Sequence, residues 1–438
     1  MKRMDALRQF VFDAPDEESW LELVLLLDDW PQGPELDIAL EYAQHHTARW
    51  PEDLIDMPEE WLHSLHNPRQ PVHPGLAMAR YLFLEHTQLH PINGAIKRLA
   101  QTQRACCLQK LYITEAQHTD PKDLAALLRA PHLSGLKTLQ IKGAPRRGTR
   151  AVLEAFADAP FKLDHLEWSD AGLDASALRL LLGAPCLSKL KLLDLSYNNL
   201  KATGAQRLLE LAPASLESLW VTHNHITGPG AGALAQFFEE RSPNAWGYIH
   251  NNPLGDEVTA RLVASGMFSA MELLELNNTG AGALTLQALS EATFEDDLEV
   301  CLELPGNTLP LRPLAPALRH LSPHLVSLNL SGTGIGDVGA QHVASSKPTH
   351  LRVLNMSHCG LTSAGVRELC KYRYYRVNGL ELRDNPIDDA GARTLATAVA
   401  FPNLEWLDIS DTNLSPDGVQ RLKSAQQRLW KDMNWLST

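Results

Sequence analysis

The stretch LKLLDLSYNNL, Leu190 to Leu200, decides the fold. Leu193 and Leu195 are two residues apart, so in an extended strand both side chains leave the same face. Asn198 and Leu200 follow where the strand should turn. Working outward, the same pattern recurs in steps of 26 to 28 residues. Copies start at Leu108, Leu136, Leu163, Leu190, Leu216, Asn244, Met271, Glu299, Leu325, Leu351, Val377 and Leu404. Three residues into each copy stands leucine, from Leu111 to Leu407, with Gly247 the one exception. Two residues later every copy is apolar, from Ile113 to Ile409. One short strand cannot bury such a face alone, whereas stacking successive copies makes a continuous core.

The second half of each copy has its own phase. Gly204, Gly230, Gly339, Gly365, Gly391 and Gly418 lie fourteen residues in, and Leu208, Leu234, Val343, Leu369, Leu395 and Leu422 lie four further on. That spacing keeps both on one helix face. The missing side chain is expected to let each helix lie close to the strand of its own repeat. Prolines such as Pro185, Pro213 and Pro402 then stop the helices. Each unit reads as strand, turn, helix and return loop.

LxxLxLxxNxL with a GxxxL helix register resembles the ribonuclease-inhibitor-like subfamily of leucine-rich repeats. The resemblance covers residues 106–425 and departs from the pattern in the first two copies, where Ala116 and Ala144 replace the asparagine and His118 and Arg146 the next leucine. It implies an α/β leucine-rich-repeat solenoid, a horseshoe with parallel strands on the concave side and helices on the convex side. Three regions follow: a helical N-terminal region over 1–105 (a cap or companion domain, all-α), the solenoid over 106–425, and a C-terminal capping segment over 426–438.

The N-terminal region shows no repeat period, but helical spacing runs through SWLELVLLLDDW and PGLAMARYLFLEHTQL. Its segment DAPDEESWLELVLLLDDW, Asp13 to Trp30, resembles a small helical domain that precedes leucine-rich repeats in bacterial proteins. Asp13, Pro15, Asp16, Glu17 and Glu18 match the acidic start, and Asp29 with Trp30 the closing pair. Trp61 with Leu62 is expected to complete the same unit. An F-box fits poorly, because no LP pair opens the first helix. Trp20, Trp30, Trp50 and Trp61 are expected to be packing residues, and Trp430 and Trp435 to cover the other end.

The chain carries 39 Lys and Arg against 52 Asp and Glu, a net charge of -13. That argues against nucleic acid and anionic membrane, which need basic surface. No apolar run is long enough to span a bilayer, and the N-terminus lacks the apolar stretch of a secretory signal. Six cysteines without a CxxC pair read as reduced and mostly buried, in a cytoplasmic protein.

Catalytic constellations are not found: there is no nucleotide-binding glycine loop and no HExxH. His223, His225 and His250 attract attention as metal ligands, but no further ligand completes a set, so neither metal nor cofactor is expected. Asn198, Asn224, Asn252, Asn307 and Asn385 recur at one phase. Inward amides there would bond the backbone of adjoining turns and form a structural ladder.

Residues flanking the buried leucines point to the opposite face. Most are small or polar, but the middle copies place Trp220, Trp246, Tyr248, His250, Glu275, Asn277 and Glu303 there. Aromatic groups beside charge are the composition of a binding hot spot. Gly247 leaves two orientations open for Trp246, outward or folded into the vacancy. A secondary surface comprises Glu381, Arg383, Trp406 and Asp408. The expected function is non-enzymatic: an interaction module or scaffold that grips a protein partner with basic surface through the concave face. A regulator of a small GTPase and a structural or self-assembling spacer are the alternatives; the oligomeric state is left open.

Overall fold

Every repeat forms a short strand where its leucines alternate and a helix where its glycine register lies. The computed structural model describes residues 2–12, 15–51, 55, 57–67, 69–86, 91–145, 147–241, 246–295, 297–397, 399–429 and 435–437. They form two compact units, Met1–Asn199 with Glu210–Leu219, and Leu200–Leu209 with Trp220–Thr438.

The first unit opens with helices α1 (Lys2–Phe12), α2 (Glu17–Asp28), α3 (Pro34–Thr47) and α4 (Glu59–His66). Asp16 caps α2 by accepting the Ser19 N–H at 2.8 Å, which satisfies one of the donors a helix start leaves open and holds its carboxyl below the usual range. Trp20, Trp30, Trp50 and Trp61 are all buried. The Trp61 indole N–H donates to Asp28 at 2.6 Å, so α4 is fastened to the C-terminal end of α2. Asp13, the first residue of the acidic motif, lies outside the described residues.

Parallel strands then follow in chain order: β1 (Tyr81–Leu84), β2 (Lys110–Ile113), β3 (Thr138–Lys142), β4 (His165–Ser169) and β5 (Leu192–Asp194). The register sets Leu82, Leu111, Leu139, Leu166 and Leu193 in one row. β1 corrects the sequence reading. The sequence places residues 1–105 in one all-α region, yet Tyr81–Leu84 is a strand in which Leu82 and Leu84 take the two inward repeat positions and are 1% exposed. The helix α5 (Ile92–Gln101) completes the same unit. Its weak repeat signature in the sequence comes from Thr87 in the asparagine slot and from the missing helix glycine, although Leu89 keeps the turn leucine.

The second unit begins within β6 (Ser218–Trp220), whose next residue, Val221, donates its N–H to the Tyr248 carbonyl at 2.9 Å. β7 (Trp246–Tyr248) follows, then a parallel sheet in chain order of β8 (Leu273–Glu275), β9 (Val300–Glu303), β10 (Leu325–Asn329), β11 (Val353–Asn355), β12 (Gly379–Glu381), β13 (Trp406–Asp408) and β14 (Trp435–Ser437). Part of the C-terminal segment, expected to cap the repeats, adds one more strand, with Leu436 opposite Leu407. Trp430 lies outside the described residues. The apolar residues five positions into the twelve copies, Ile113 through Ile409, are all 0% exposed, so both units bury the same stripe.

The turn after each strand has a feature the leucine pattern hides. Seven residues into every copy the backbone is left-handed, at Glu115, Gly143, Asp170, Tyr197, His223, Asn251, Asn278, Gly306, Gly332, His358, Asp384 and Asp411. Glycine, asparagine and aspartate tolerate this conformation, and they fill most of these positions. The register glycines also serve differently from expectation. A Cβ on Gly230 would lie 2.3 Å from the Ala202 Cα of the preceding helix, and one on Gly204 would lie 2.6 Å from the Leu200 side chain. They permit close approach to the neighbouring helix and to the turn, rather than to the strand.

Candidate functional site

The asparagine ladder fixes the turns from which the candidate face hangs. Asn252 Oδ1 accepts the N–H groups of Asn224 and Ile226, each at 3.0 Å, while its Nδ2 donates to the carbonyls of Val221 and Ile249 at 2.8 and 2.9 Å. One buried amide thus satisfies its own turn and the turn before it. Asn307 repeats this with Gly280, Ala281, Leu276 and Leu304, and Asn385 with Cys359, Leu361, Met356 and Leu382. Asn198 does the same within the first unit, on Ala171, Leu173, Trp168 and Leu195. Asn224 accepts from Leu200 N–H at 3.3 Å and donates to Val221 O at 3.1 Å. Other copies use smaller groups in the slot: Thr279 and Thr333 donate to their own repeats' Leu276 and Leu330, and the Cys359 thiol donates to Leu330 of the preceding one.

With the turns fixed, the residues four into each copy align across the second sheet as Glu275, Glu303, Asn329, Asn355, Glu381 and Asp408. Four of these six are acidic. Asn329 donates to Glu303 Oε2 at 2.6 Å, and Asn355 donates to Glu381. Burial raises the Glu275, Glu303 and Glu381 carboxyls; neighbouring carboxylates add to this at Glu303 and Glu381, against the opposing asparagine bonds.

At the start of this row lies an aromatic cluster. Trp246 is 37% exposed, which settles its orientation: it points outward, while Gly247 takes the buried inward position without a side chain. Trp220 meets Tyr248 edge-on with ring centroids 5.1 Å apart, and Trp246 lies 6.4 Å from Trp220 and 6.2 Å from Tyr248. Such edge-to-face packing holds the rings rigid. Burial, and then Glu275, raise the Tyr248 phenol.

His250 and Asn277 sit beneath this rim. The Glu275 Oε2 lies 3.4 Å from His250 Nδ1, off the hydrogen-bonding line, so that Nδ1 and the Asn277 Oδ1 are both buried without a hydrogen-bond partner. Burial first, and the His223 imidazole second, hold His250 down to about 4. Burial thus favours the uncharged form of both His250 and Glu275.

Three comparisons bear on this geometry. A family described as "Leucine Rich repeat" matches residues 186–209, 212–235, 321–344, 347–370 and 379–396. A ribonuclease inhibitor from Sus scrofa is 27% identical over 334 residues, covering 73% of this chain and 68% of that protein. The chain carries leucine-rich repeats and is similar to a protein of the ribonuclease-inhibitor kind. Among solved structures, "Crystal structure of Rad7 and Elc1 complex in yeast" is similar at a TM-score of 0.42 and 14% identity, over 87% of this chain and 89% of that one. The repeats and their similarity to an inhibitor support a protein-binding repeat module. No helix among the described residues is long and apolar enough to cross a membrane.

The secondary surface of this leucine-rich-repeat chain is more self-contained. Arg383 pairs with Asp384 at 3.0 Å and Asp411 at 2.9 Å. Trp406 lies over Gly379, where a Cβ would come within 2.3 Å of the indole. Asp408 accepts from Ser410 N–H at 3.0 Å. The cysteines are all free, but only Cys186 and Cys359 are buried; Cys106 is exposed and Cys107, Cys301 and Cys370 are half-buried, a correction to the mostly buried expectation. The metal reading also shifts: among the described residues the group with metal-ligand spacing is His86, Glu115 and His118, not His223, His225 and His250.

Proposed function

We propose that this chain is a non-enzymatic protein-binding module, and that it holds a partner with basic surface on the strand face of its second unit. Trp220, Trp246 and Tyr248 supply rigid apolar area. Glu275 and Glu303, with His250 and Asn277 beneath them, select positive groups. The observation that carries this reading is the aromatic cluster, with Trp246 exposed and Trp220 and Tyr248 half-buried, at the head of a row of half-buried carboxylates. A raised carboxyl costs the free protein stability; a lysine or arginine placed against it restores the charged form and lowers that cost. Aromatic rings add cation–π attraction for the same side chains. Glu381 and Asp408 extend the row toward a secondary contact.

The test is affinity capture from native extract with wild type beside a Trp220→Ala, Trp246→Ala, Tyr248→Ala variant. Loss of hot-spot aromatics of this kind costs about 2 kcal/mol or more each, so capture should fall at least a hundredfold at low salt and further at high salt. Equal capture by both proteins would remove the site from this face. The similar Sus scrofa protein is named an inhibitor of ribonuclease, so a ribonuclease is the first defined partner to titrate.

A further inference from the structure

We propose that His86, Glu115 and His118 form a binding site for a divalent transition-metal ion of the zinc class, on the turns that follow β1 and β2. Their ligand-capable atoms all lie within 4.8 Å of one another. The fold brings them together for a simple reason. His86 and Glu115 each stand two residues beyond the paired strand ends Leu84 and Ile113, and adjacent strands place equivalent positions about 4.8 Å apart. Glu115 occupies the left-handed turn position, with φ 53°.

His118 arrives by a departure from the repeat. In later copies the asparagine slot is followed two residues on by an inward apolar group, such as Leu173 or Leu200, both buried. In this copy Ala116 fills the slot and a single 3-10 turn, Ala116–His118, replaces the extended turn. The His118 and Thr119 N–H groups then bond back to Glu115 and Ala116, each at 3.0 Å. The side chain of His118 is therefore delivered to the surface. There it stacks on His86 with centroids 4.2 Å apart and planes 9° from parallel.

Two imidazoles and one carboxylate suit zinc, with water as the fourth ligand; cobalt, nickel and copper accept the same donors. Tetrahedral bonds of 2.0–2.1 Å put ligand atoms roughly 3.3 Å apart, closer than the present spread. Both rings must rotate out of their parallel stack for their lone pairs to converge. His86 Nδ1 also accepts the Ile92 N–H at a long 3.4 Å; coordination through Nε2 needs the other tautomer and gives up that bond. These costs make binding weaker than at a preformed site.

The experiment is titration of the full chain with zinc chloride by calorimetry, and with cobalt chloride by visible absorption. Wild type, His118→Ala, Glu115→Gln and a His45→Ala, His46→Ala control are compared, with metal-free melting curves to verify folding. The expected result is one zinc per chain, a cobalt spectrum with tetrahedral intensity, at least tenfold weaker binding in His118→Ala, and no change in the control. His118 is exposed, so its truncation leaves the metal-free fold intact. A stoichiometric site unaffected by His118→Ala, or the absence of stoichiometric binding in wild type, overturns the proposal.

Discussion

The first and second units bury the same stripe of strand residues but close their turns differently. The early copies of the first unit carry Ala116, Ala144 and Ala171 in the amide slot, while those of the second carry asparagine, threonine or cysteine. Yet Leu111 and Ile113 are as fully buried as Leu354 and Met356. The leucine stripe therefore suffices to build the parallel sheet. Where the next repeat brings an asparagine, as Asn198 does for Ala171 and Leu173, its oxygen takes the turn's N–H groups; at Ala116, followed by Ala144 in the next slot, a local 3-10 turn takes them. That choice has consequences outside the core. The extended turn keeps its following residue inward, as at Leu173 and Leu200, while the 3-10 turn at Ala116 releases His118 to solvent.

The comparison can be broken most severely at the shared stripe. Leu195→Asp in the first unit and Leu330→Asp in the second should each cost about 4 kcal/mol or more, since an unpaired charge enters a dry core. Loss of the cooperative melting transition checks this, and a variant that melts like wild type would mean that stripe position is not core. The slot comes next. Asn252→Ala leaves the N–H groups of Asn224 and Ile226 without their acceptor and should cost about 3 kcal/mol in urea unfolding. Thr333→Ala removes one backbone bond and a long contact to the Cys359 thiol, and should cost about 1 kcal/mol. Equal losses would show that the amide's double reach adds nothing.

Smaller effects sharpen the functional side. Glu303 is raised above its ordinary value of 4.5. The folded state thus holds this proton more tightly than the unfolded chain, and the stability it confers is complete below 4.5 and lost as pH rises through the raised value. At neutral pH the charged group is a net burden. Glu303→Gln should raise the melting temperature by a few degrees near pH 7, have little effect at pH 4, and weaken partner binding. His250 runs the other way. Its folded value of about 4 lies below the ordinary 6.5, so its contribution is present above pH 6.5 and lost as pH falls toward 4. His250→Asn should flatten the acid decline of the melting temperature across that window.

Much of this was legible in the sequence. Twelve strands, the helix after most of them, and the bonding role of Asn198, Asn252, Asn307 and Asn385 follow from phase alone. β1 is hard to read from the sequence, because its copy keeps Leu82, Leu84 and Leu89 but has Thr87 in the asparagine slot and no helix glycine. The left-handed turn position escaped as well, though glycine, asparagine and aspartate recur there seven residues into most copies. Of the candidate face, the alternation of strand residues identifies Glu275 and Glu303 as neighbours. It says nothing about Trp246, beside a glycine that breaks the pattern.

The sequence by itself determined the repeat, its period and its buried stripe, because these depend only on which residues share a face of a strand or helix. Tertiary structure alone decided which side chains meet across repeats. His86 reaches His118, Glu303 is burdened by Glu275 and Glu381, and Gly230 admits the Ala202 backbone, all through contacts between residues 25 or more positions apart. Such contacts depend on the offset between stacked units of 26 to 28 residues, and a one-dimensional pattern carries no record of that offset until the strands are paired.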